Sequence, residues 1–386
     1  MNFDFATANR IRFGVGVAAE LGALARSLGA RVLLVTGAWP RRFPGVIHGL
    51  QAAGVKLTIF AVDGEPTTTS VSEGVALARE AGCELVVGLG GGSALDAGKA
   101  IAALMTNPGE PLDYLEVVGR GAPLSAAPAP YIAVPTTAGT GSEVTSNAVL
   151  RVEEEHVKVS LRSPKMLPDV ALVDPALTLT MSPALTAECG LDALTQVIEP
   201  FVSNRANPLT DGLCREGIRR GATGLRRAWV DGDDLEARTD MALTSLFGGL
   251  ALANARLGAV HGFAGPLGGM FPAPHGAVCA SLLPHVVGVN VRALRGRGGA
   301  DAARVLDRYR EVAVLLTGRA AARVEDGVEW LEQLASELGL RPLRDYGVRE
   351  VDFARIIDRS ARSSSMKGNP IALTETELYE ILSAAL

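Results

Sequence analysis

The side chains most able to bind a metal ion lie in the second half of the sequence. A predicted helix carries Asp192 and Gln196 one turn apart, so the two side chains share one face of that helix. Two of the five histidines, His261 and His275, lie in a single stretch rich in glycine and proline. One carboxylate and two imidazoles suit a divalent cation such as Fe(II) or Zn(II) with an open coordination position. A buried structural role is the alternative at either histidine. The same structural role is expected of the other histidines: His48, His156 and His285.

A glycine-rich loop in the first half of the chain is a candidate phosphate site. Gly90, Gly91, Gly92 and Ser93 follow a short apolar run directly, and residues 94–105 are predicted to form a helix. Glycines let the backbone approach a ligand closely, and the free N–H groups and dipole at a helix start favour an anion. A tight strand-to-helix turn without a ligand is the alternative, because the loop is not the G-x-G-x-x-G of the common dinucleotide fold.

A second polar loop follows another apolar run. Residues 135–145 read PTTAGTGSEVT and combine hydroxyl groups with glycines. These groups suit hydrogen bonds to a phosphate, a ribose or a nicotinamide amide. A Ser/Thr-rich turn that caps the next helix explains the same residues equally well, so both interpretations stay open at this point.

The pattern of apolar runs predicts how the two loops are positioned. Up to about residue 180, apolar runs alternate with helical stretches, and four of the runs are predicted as buried strands: 31–37, 57–60, 84–89 and 131–135. This alternation indicates a parallel sheet with helices on both faces, and such sheets bind ligands at the carboxyl ends of their strands. Both polar loops lie at predicted carboxyl ends.

The sequence changes character after Ser182-Pro183, a pair typical of a helix start. From there to Leu386 it is rich in Ala, Leu, Arg and Glu with helical periodicity, and no strand is predicted. We therefore predict an α/β dinucleotide-binding domain with a parallel sheet over residues 1–180. An all-α domain over residues 181–386 is predicted to carry the metal and substrate sites.

Composition excludes several kinds of partner. The formal net charge is −5, so the overall balance attracts neither nucleic acid nor an anionic membrane. The apolar runs are far shorter than the ~20 residues that a spanning helix needs. The N-terminal sequence lacks the features of a signal peptide, and the four scattered cysteines form no CxxC pair. These features predict a cytoplasmic protein that binds neither nucleic acid nor a membrane.

The motifs together resemble the iron-containing (group III) alcohol dehydrogenase family, within the wider dehydroquinate synthase-like group. The resemblance covers nearly the whole chain. Residues 90–99, GGGSALDAGK, match the family pattern G-G-G-S-x-x-D-x-x-K, and residues 135–145 match P-T-T-A-G-T-G-S-E-x-T. Shorter matches lie further along the chain: Lys158, residues 167–170, 173–175, 190–194 and 274–276, and Asn369-Pro370.

The resemblance implies an NAD(P)-binding first half and a metal-binding second half. The metal would polarise a carbonyl oxygen while hydride passes between the nicotinamide and the carbonyl carbon. Asp192, His261 and His275 match three of the four family metal ligands and are the implied catalytic residues, with Gln196 at the fourth ligand position. The implied cofactor-binding residues are Gly37, Gly91, Gly92, Ser93, Asp96, Thr136, Thr137, Thr140 and Lys158.

Three positions depart from the family pattern. Gln196 stands where the family usually has a ligand histidine, and a neutral amide oxygen should bind the metal more weakly. Gly265 replaces a histidine near the substrate, so water, a cofactor hydroxyl or another side chain must supply the proton. Gly37 replaces the aspartate of NAD-preferring members, which makes NADP admissible. Arg41 and Arg42 suit a 2′-phosphate, although a solvated loop explains them equally well.

Four functional hypotheses follow. The leading one is a metal-dependent enzyme that interconverts an alcohol with an aldehyde or ketone. The second is a metal-independent reductase resembling maleylacetate reductases. The third is a lyase or cyclase resembling dehydroquinate synthase, and the fourth is a nucleotide-binding homologue without catalysis. The resemblance also implies a homodimer or larger homo-oligomer, and dimers are the commonest closed assembly.

Overall fold

The computed structural model describes residues 2–386, which form two compact units. The first, which we call the α/β unit, comprises Ala6–Thr180. The second, which we call the helical unit, comprises Met181–Leu386 together with residues 2–5.

A six-stranded parallel sheet forms the centre of the α/β unit. The strands of the unit are β1 (Arg10–Phe13), β2 (Arg31–Gly37), β3 (Lys56–Val62), β4 (Leu85–Gly90), β5 (Tyr131–Pro135), β6 (Asn147–Val152), β7 (Val157–Arg162) and β8 (Val170–Val173). Six of them pair in the order β1-β8-β5-β4-β2-β3, and β6 and β7 form a separate antiparallel hairpin. The parallel sheet predicted from the sequence is confirmed.

Helices cover both faces of this sheet: α1 (Leu21–Leu28), α2 (Pro44–Ala52), α3 (Thr68–Glu80), α4 (Gly92–Met105) and the short α5 (Pro111–Tyr114). Alternate residues of β2 enter two hydrophobic clusters. Leu33 and Val35 pack in the cluster that includes α3 and α4, whereas Val32 and Leu34 pack in the cluster that includes α1 and α2. The continuous apolar run of β2 is therefore explained by burial on both faces.

The sequence did not reveal four of the strands. β1 and β8 contain only four residues each. Along β6 the side chains alternate, with Ala148 buried and Val149 exposed, because only one face of the hairpin is covered. A very short strand or a half-exposed one lacks the continuous apolar run that identified β2, β4 and β5. The run at 57–60 correctly predicted β3, but the expectation that it is buried is wrong: β3 is an edge strand in which Ile59 is exposed and only Val62 is buried.

Two glycines set the distance between β4 and α4. A Cβ on Gly98 would lie 2.9 Å from Cε2 of Tyr131, and a Cβ on Gly88 would overlap the hydroxyl of the same tyrosine. The Tyr131 ring occupies the space that the two glycines leave, and its hydroxyl donates a hydrogen bond to the Leu95 carbonyl at 2.9 Å. This bond holds the first turn of α4 against the sheet through the first residue of β5.

The helical unit contains nine α-helices among its described residues, and no strand. They are α6 (Pro183–Val202), α7 (Pro208–Val230), α8 (Leu235–Ala255), α9 (Ala259–Met270), α10 (His275–Arg297), α11 (Ala302–Thr317), α12 (Val324–Glu337), α13 (Phe353–Ala361) and α14 (Glu375–Ala385). The all-α architecture predicted for this half is confirmed.

The second half of α6 is enclosed by its neighbours. Residues 190–202 are all buried. Glycines of α7 and α8 allow this close packing: a Cβ on Gly217 would lie 2.7 Å from Cγ1 of Val197, and a Cβ on Gly248 would lie 2.9 Å from Cβ of Gln196. Polar side chains in this part of α6 are therefore held inside the core of the unit.

Among the described residues, one helix, α10, is long and apolar enough to cross a membrane. However, 78% of its most apolar window is buried inside the protein. The pair α8 and α9 passes the same test only across a bend of 100°. A buried core helix has the same length and composition, so these helices are weak evidence for a membrane segment.

Candidate metal centre and nucleotide-binding loops

Three helices of the helical unit bring the predicted metal ligands together. Asp192 lies on α6, His261 on α9, and His275 is the first residue of α10. Oδ1 of Asp192 lies 3.2 Å from Nε2 of His261 and 3.7 Å from Nε2 of His275. Asp192 and His261 are buried, whereas the His275 side chain is 40% exposed to solvent. One side of the cluster is thus accessible.

The approach of α10 to α6 depends on Gly276. A Cβ on this residue would overlap the backbone carbonyl of Glu188 on α6. Glycine therefore lets the first turn of α10 lie directly against α6, which carries His275 to within 3.7 Å of Asp192. This contact gives a physical reason for the glycine in the Pro-His-Gly segment.

The structure adds Cys279 to the cluster. Its Sγ lies 3.8 Å from Nε2 of His261 and 3.8 Å from Nε2 of His275, and its side chain is completely buried. One ligand atom from each of Asp192, His261, His275 and Cys279 lies within 4.8 Å of all the others. The sequence analysis did not identify this cysteine. Its position one helical turn after His275 was the available signal, but a lone buried cysteine usually behaves as a small hydrophobic residue.

Glu199 fixes the orientation of the His261 ring. Nδ1 of His261 donates a hydrogen bond to Oε2 of Glu199 at 2.7 Å, and the Val260 amide donates to Oε1 at 2.7 Å. Both carboxylate oxygens are therefore occupied, and Nε2 of the ring is directed at Asp192 and Cys279. A carboxylate behind a histidine ligand is a common arrangement in metal sites. The sequence analysis also missed Glu199, although it lies on the same face of α6 as Asp192 and Gln196.

Asn369 supports the same region from near the end of the chain. Its Oδ1 accepts from the Ala259 amide at 3.2 Å, at the start of α9, and from Nδ2 of Asn290 at 3.1 Å. Its Nδ2 donates to Oδ1 of Asn290 at 2.8 Å and to the Ile371 carbonyl at 2.8 Å. The Asn369-Pro370 match noted in the sequence therefore contributes to placing the helix that carries His261.

The groups of the cluster shift one another's pKa values. Burial lowers the pKa of His261, but the nearby sulfur of Cys279 and carboxylates of Asp192 and Glu199 overcome this effect and raise it well above its usual value. The pKa of His275 is also raised, because Cys279 and Asp192 outweigh burial. Burial raises the pKa of Asp192, but the two histidines and a hydrogen bond from Gln196 lower it overall. The cluster therefore favours additional positive charge.

A divalent metal ion fits this donor set. Nδ1–H of His261 is used by Glu199, so Nε2 is the ring nitrogen that faces Asp192, at 3.2 Å. A cation between them would take the place of the proton that otherwise links the two groups. Metal–ligand bonds of about 2.0–2.2 Å in a tetrahedron imply edges of about 3.4 Å between nitrogen and oxygen donors. The Asp192–histidine distances of 3.2 and 3.7 Å bracket that value.

In the α/β unit, the two polar loops lie side by side. They follow β4 and β5, which are neighbouring parallel strands with Gly90 opposite Pro135. A Cβ on Gly91 would lie 3.2 Å from Cγ2 of Thr137, and a Cβ on Gly92 would lie 2.7 Å from Cγ2 of Thr140. The glycines thus leave room for the threonines beside the start of α4.

Asp96 and Lys99 bind the second loop to α4 from inside. Oδ1 of Asp96 accepts from the Ser142 hydroxyl at 2.5 Å, and Oδ2 accepts from the Val149 amide at 2.9 Å. Nζ of Lys99, which is buried, donates to the Ser142 carbonyl at 2.8 Å and the Asn147 carbonyl at 2.6 Å. Both side chains therefore act on the protein itself, by holding the loop and hairpin in place.

The ionisable side chain of Glu143, in the same loop, is buried. Burial raises its pKa to about 7, while its own backbone amide and Lys99 oppose the shift. The charge state of this carboxyl group therefore changes near neutral pH.

Of the remaining predicted cofactor residues, Gly37 lies beside the glycine-rich loop. It ends β2, which pairs with β4, and a Cβ on Gly90 would lie 3.5 Å from the Gly37 amide nitrogen. A Cβ on Gly37 itself would meet no atom within 4 Å. Lys158 on β7 forms an ion pair with Glu65. Arg42 donates to the Thr180 carbonyl at 3.0 Å. Ser93 lies in the first turn of α4, and Thr136 directly follows β5.

Comparison with known proteins agrees with this architecture. Residues 8–175 match the family model for iron-containing alcohol dehydrogenase, and residues 186–386 match the C-terminal model of the Fe-containing alcohol dehydrogenase family. The chain is 36% identical to 1,3-propanediol dehydrogenase of Klebsiella pneumoniae over 99% of this chain and 98% of that protein.

Solved structures show the same fold. A 1,3-propanediol oxidoreductase is 34% identical with a TM-score of 0.92, and the match covers 100% of both chains. Sulfoacetaldehyde reductase from Bifidobacterium kashiwanohense, solved in complex with NAD+, is 29% identical with a TM-score of 0.87 over 100% of this chain and 99% of that one.

The chain combines a parallel-sheet unit with a helical unit that carries a metal-binding group, and the matching family and the neighbour solved with NAD+ place this architecture among the nicotinamide-linked oxidoreductases. Within that class, the chain belongs to the iron-containing alcohol dehydrogenase family. It is an oxidoreductase of the alcohol dehydrogenase type, which confirms the leading hypothesis from the sequence.

Proposed function

We infer that the protein is a metal-dependent, nicotinamide-linked dehydrogenase that interconverts a small alcohol with its aldehyde or ketone. The observation that carries this inference is the convergence of Asp192, His261 and His275 at distances that suit one divalent cation. Family membership supports the reaction type. The relative named 1,3-propanediol dehydrogenase supports a short alcohol as the substrate class.

In this proposal the residues of the helical unit have distinct roles. Asp192, His261 and His275 hold the metal, and Glu199 keeps Nε2 of His261 directed toward it. When bound, the metal supplies Lewis-acid polarisation of the substrate oxygen, and the nicotinamide supplies or accepts the hydride. Gly265 has no side chain that could transfer a proton, and a Cβ there would meet no atom within 4 Å. Water or a cofactor hydroxyl is therefore the proposed proton carrier.

The proposed dinucleotide site is the pair of loops in the α/β unit. Backbone N–H groups of Gly91, Gly92 and Ser93 at the start of α4 suit a pyrophosphate, because a helix start favours an anion. The hydroxyl groups of the second loop suit the ribose or the nicotinamide amide; they belong to Thr136, Thr137 and Thr140. Asp96 holds the second loop against α4, and Lys158 with Glu65 lies on the hairpin side.

Both NAD and NADP are proposed as cofactors. The relative solved with NAD+ supports NAD. The open space at Gly37, where no carboxylate opposes a 2′-phosphate, supports NADP as well. Fe(II) is the proposed metal from the family membership, and Zn(II) suits the same oxygen and nitrogen donors.

One assay tests the proposed function. Protein stripped by a chelator is assayed for oxidation of NADH and of NADPH with short aldehydes, ketones and oxo-acids, with and without Fe(II) or Zn(II). Turnover that returns only with metal supports the proposal. Turnover that ignores the chelator would overturn metal dependence and favour the maleylacetate-reductase-like mechanism, which the amide at position 196 makes the main alternative.

We also propose a homodimer or larger homo-oligomer and a cytoplasmic location. Closed dimers are the commonest assembly of soluble enzymes. None of the four cysteines forms a disulfide, which suits a reducing compartment. Light scattering on the purified protein tests the assembly, and a monomer at all concentrations would contradict it.

A further inference from the structure

We propose that Cys279 is the fourth protein ligand of the metal, through its thiolate, and that Gln196 supports Asp192 instead of binding the metal. This inference rests on the proposed function and specifies its donor set. It replaces the amide ligand that the motif alignment implied with a sulfur ligand.

The distances around Cys279 match those of a sulfur ligand. A metal–sulfur bond of about 2.3 Å and metal–nitrogen bonds of about 2.0–2.1 Å in a tetrahedron imply sulfur–nitrogen edges of about 3.6 Å. Sγ of Cys279 lies 3.8 Å from Nε2 of His261 and 3.8 Å from Nε2 of His275. A single cation position can therefore contact both rings and the sulfur.

The helix geometry explains why the sulfur faces the cluster. His275 and Cys279 are one turn apart on α10, so their side chains leave the helix on the same face. α10 thus supplies two donors, α6 supplies Asp192, and α9 supplies His261. The complete burial of Cys279 leaves its sulfur facing the imidazoles rather than solvent.

Gln196 has a different role in this arrangement. Its side-chain amide forms a hydrogen bond with Asp192, so it contacts the carboxylate ligand directly. Helix α8 approaches Gln196 closely at Gly248, where a Cβ would lie 2.9 Å from Cβ of Gln196. A residue that hydrogen-bonds a ligand from behind orients it and adjusts its basicity, which is a positioning role.

A thiolate changes the chemistry expected of the site. On metal binding the S–H bond of Cys279 breaks, its proton leaves to solvent, and a sulfur electron pair forms the bond to the metal without any change of oxidation state. Sulfur, imidazole and carboxylate donors together favour Zn(II) or Co(II) over a hard cation such as Mg(II). Substrate would approach the bound metal from the partly exposed side at His275.

Cobalt substitution tests the sulfur ligand directly. The full-length protein is stripped and reconstituted with one equivalent of Co(II), and its absorption spectrum is recorded. We expect a thiolate-to-cobalt charge-transfer band in the near ultraviolet. We expect Cys279→Ser to lose this band and to bind Co(II) more weakly by about 100-fold or more, beyond the 10–100-fold effect of an outer partner.

Matched variants locate the source of the band. Cys189→Ser and Cys83→Ser should keep the band, because neither thiol belongs to the four-donor cluster. Gln196→Ala should also keep it, with a loss of cobalt affinity of roughly 10–100-fold. A band that survives in Cys279→Ser, or disappears in Gln196→Ala while cobalt remains bound, would overturn the assignment.

The wild-type protein alone separates this proposal from the proposed function. Stoichiometric Co(II) binding without a charge-transfer band would overturn the cysteine ligand and leave the metal-dependent function standing. No Co(II) binding, measured by elemental analysis after gel filtration, would overturn both. These outcomes do not depend on whether any variant folds.

Discussion

The two candidate sites of this molecule are built in opposite ways. The nucleotide site of the α/β unit consists of two continuous loops at the ends of neighbouring strands, β4 and β5. The metal centre of the helical unit consists of single side chains from α6, α9 and α10, far apart in the sequence. The first therefore uses backbone groups presented by local structure, whereas the second uses side chains that only tertiary packing brings together.

This difference determines how strongly a single mutation should affect each site. A change at Asp192, His261 or His275 removes a donor atom from the candidate cluster. A change of one side chain in the loops leaves most backbone N–H groups in place. We therefore expect larger effects in the helical unit than in the α/β unit, and the two sites should respond separately.

The largest expected effect is that of Asp192→Ala. Loss of the central carboxylate removes the donor that lies within 3.7 Å of both histidines, so metal content and metal-dependent turnover should fall more than about 100-fold. Dinucleotide affinity, measured by NADH fluorescence titration, should change less than about twofold. A collapse of NADH binding in this variant would contradict the separation of the two sites.

The next effect concerns stability and pH in the α/β unit. The pKa of Glu143 is raised to about 7 in the folded protein, so this group keeps its proton while the unfolded chain loses it above about pH 4.5. The stability contributed by the proton is therefore lost as pH rises from about 4.5 to 7, and the free energy of unfolding falls by roughly 2–3 kcal/mol over that window.

Glu143→Gln should remove this contribution. Urea unfolding of the wild type and the variant at pH 5 and pH 8 gives the difference between them at each pH. From pH 5 to pH 8, the free energy of unfolding of the variant should rise by about 2 kcal/mol relative to that of the wild type. A constant difference would mean that Glu143 is ionised throughout.

Glu199→Gln tests the outer support of the metal centre. The variant replaces one of the two acceptor oxygens that hold His261 and the Val260 amide, so the ring is held less firmly. Metal affinity in a chelator competition should fall roughly 10–100-fold. Glu188→Gln on the same helix is the matched control and should leave affinity unchanged. An equal loss in both variants would indicate a general effect on α6.

The smallest effect is expected for Gly37→Asp. The space beside Gly37 accommodates a side chain, and a carboxylate there would accept from ribose hydroxyls and repel a 2′-phosphate. The ratio of kcat/KM for NADH to that for NADPH should rise roughly tenfold. Gly37→Ala, which adds volume without charge, is the control. An unchanged ratio would mean that this strand end does not contact the adenosine.

The same contrast explains what the sequence predicted. Strands β2, β4 and β5 are buried on both faces, so their continuous apolar runs predicted the sheet and placed the two loops at its edge. The short β1 and β8 and the half-exposed hairpin left no such pattern. Local periodicity identifies an element most clearly when burial imposes that periodicity on its residues.

The metal centre was only partly predictable for a related reason. Asp192, His261 and His275 have side chains whose type suggests a ligand, and a family motif marks two of them. Glu199 and Cys279 acquire their positions only from the packing of α6 against α9 and α10, and their residue types are common in ordinary helices. The assignment of Gln196 as a ligand remains a prediction, which the cobalt spectrum is designed to decide.

The bond between Asn369 and the start of α9 has a consequence for the order of events during synthesis. The hydrogen bond between the Ala259 amide and Asn369 can form only after residue 369 has been synthesised. Both loops of the α/β unit are already present once the ribosome has synthesised residue 145. A nascent chain can therefore assemble its nucleotide loops early, as N-terminal domains generally do. The helix that carries His261 obtains this support last, so the cluster of Asp192, His261 and His275 reaches its final geometry only after residue 369 has been synthesised.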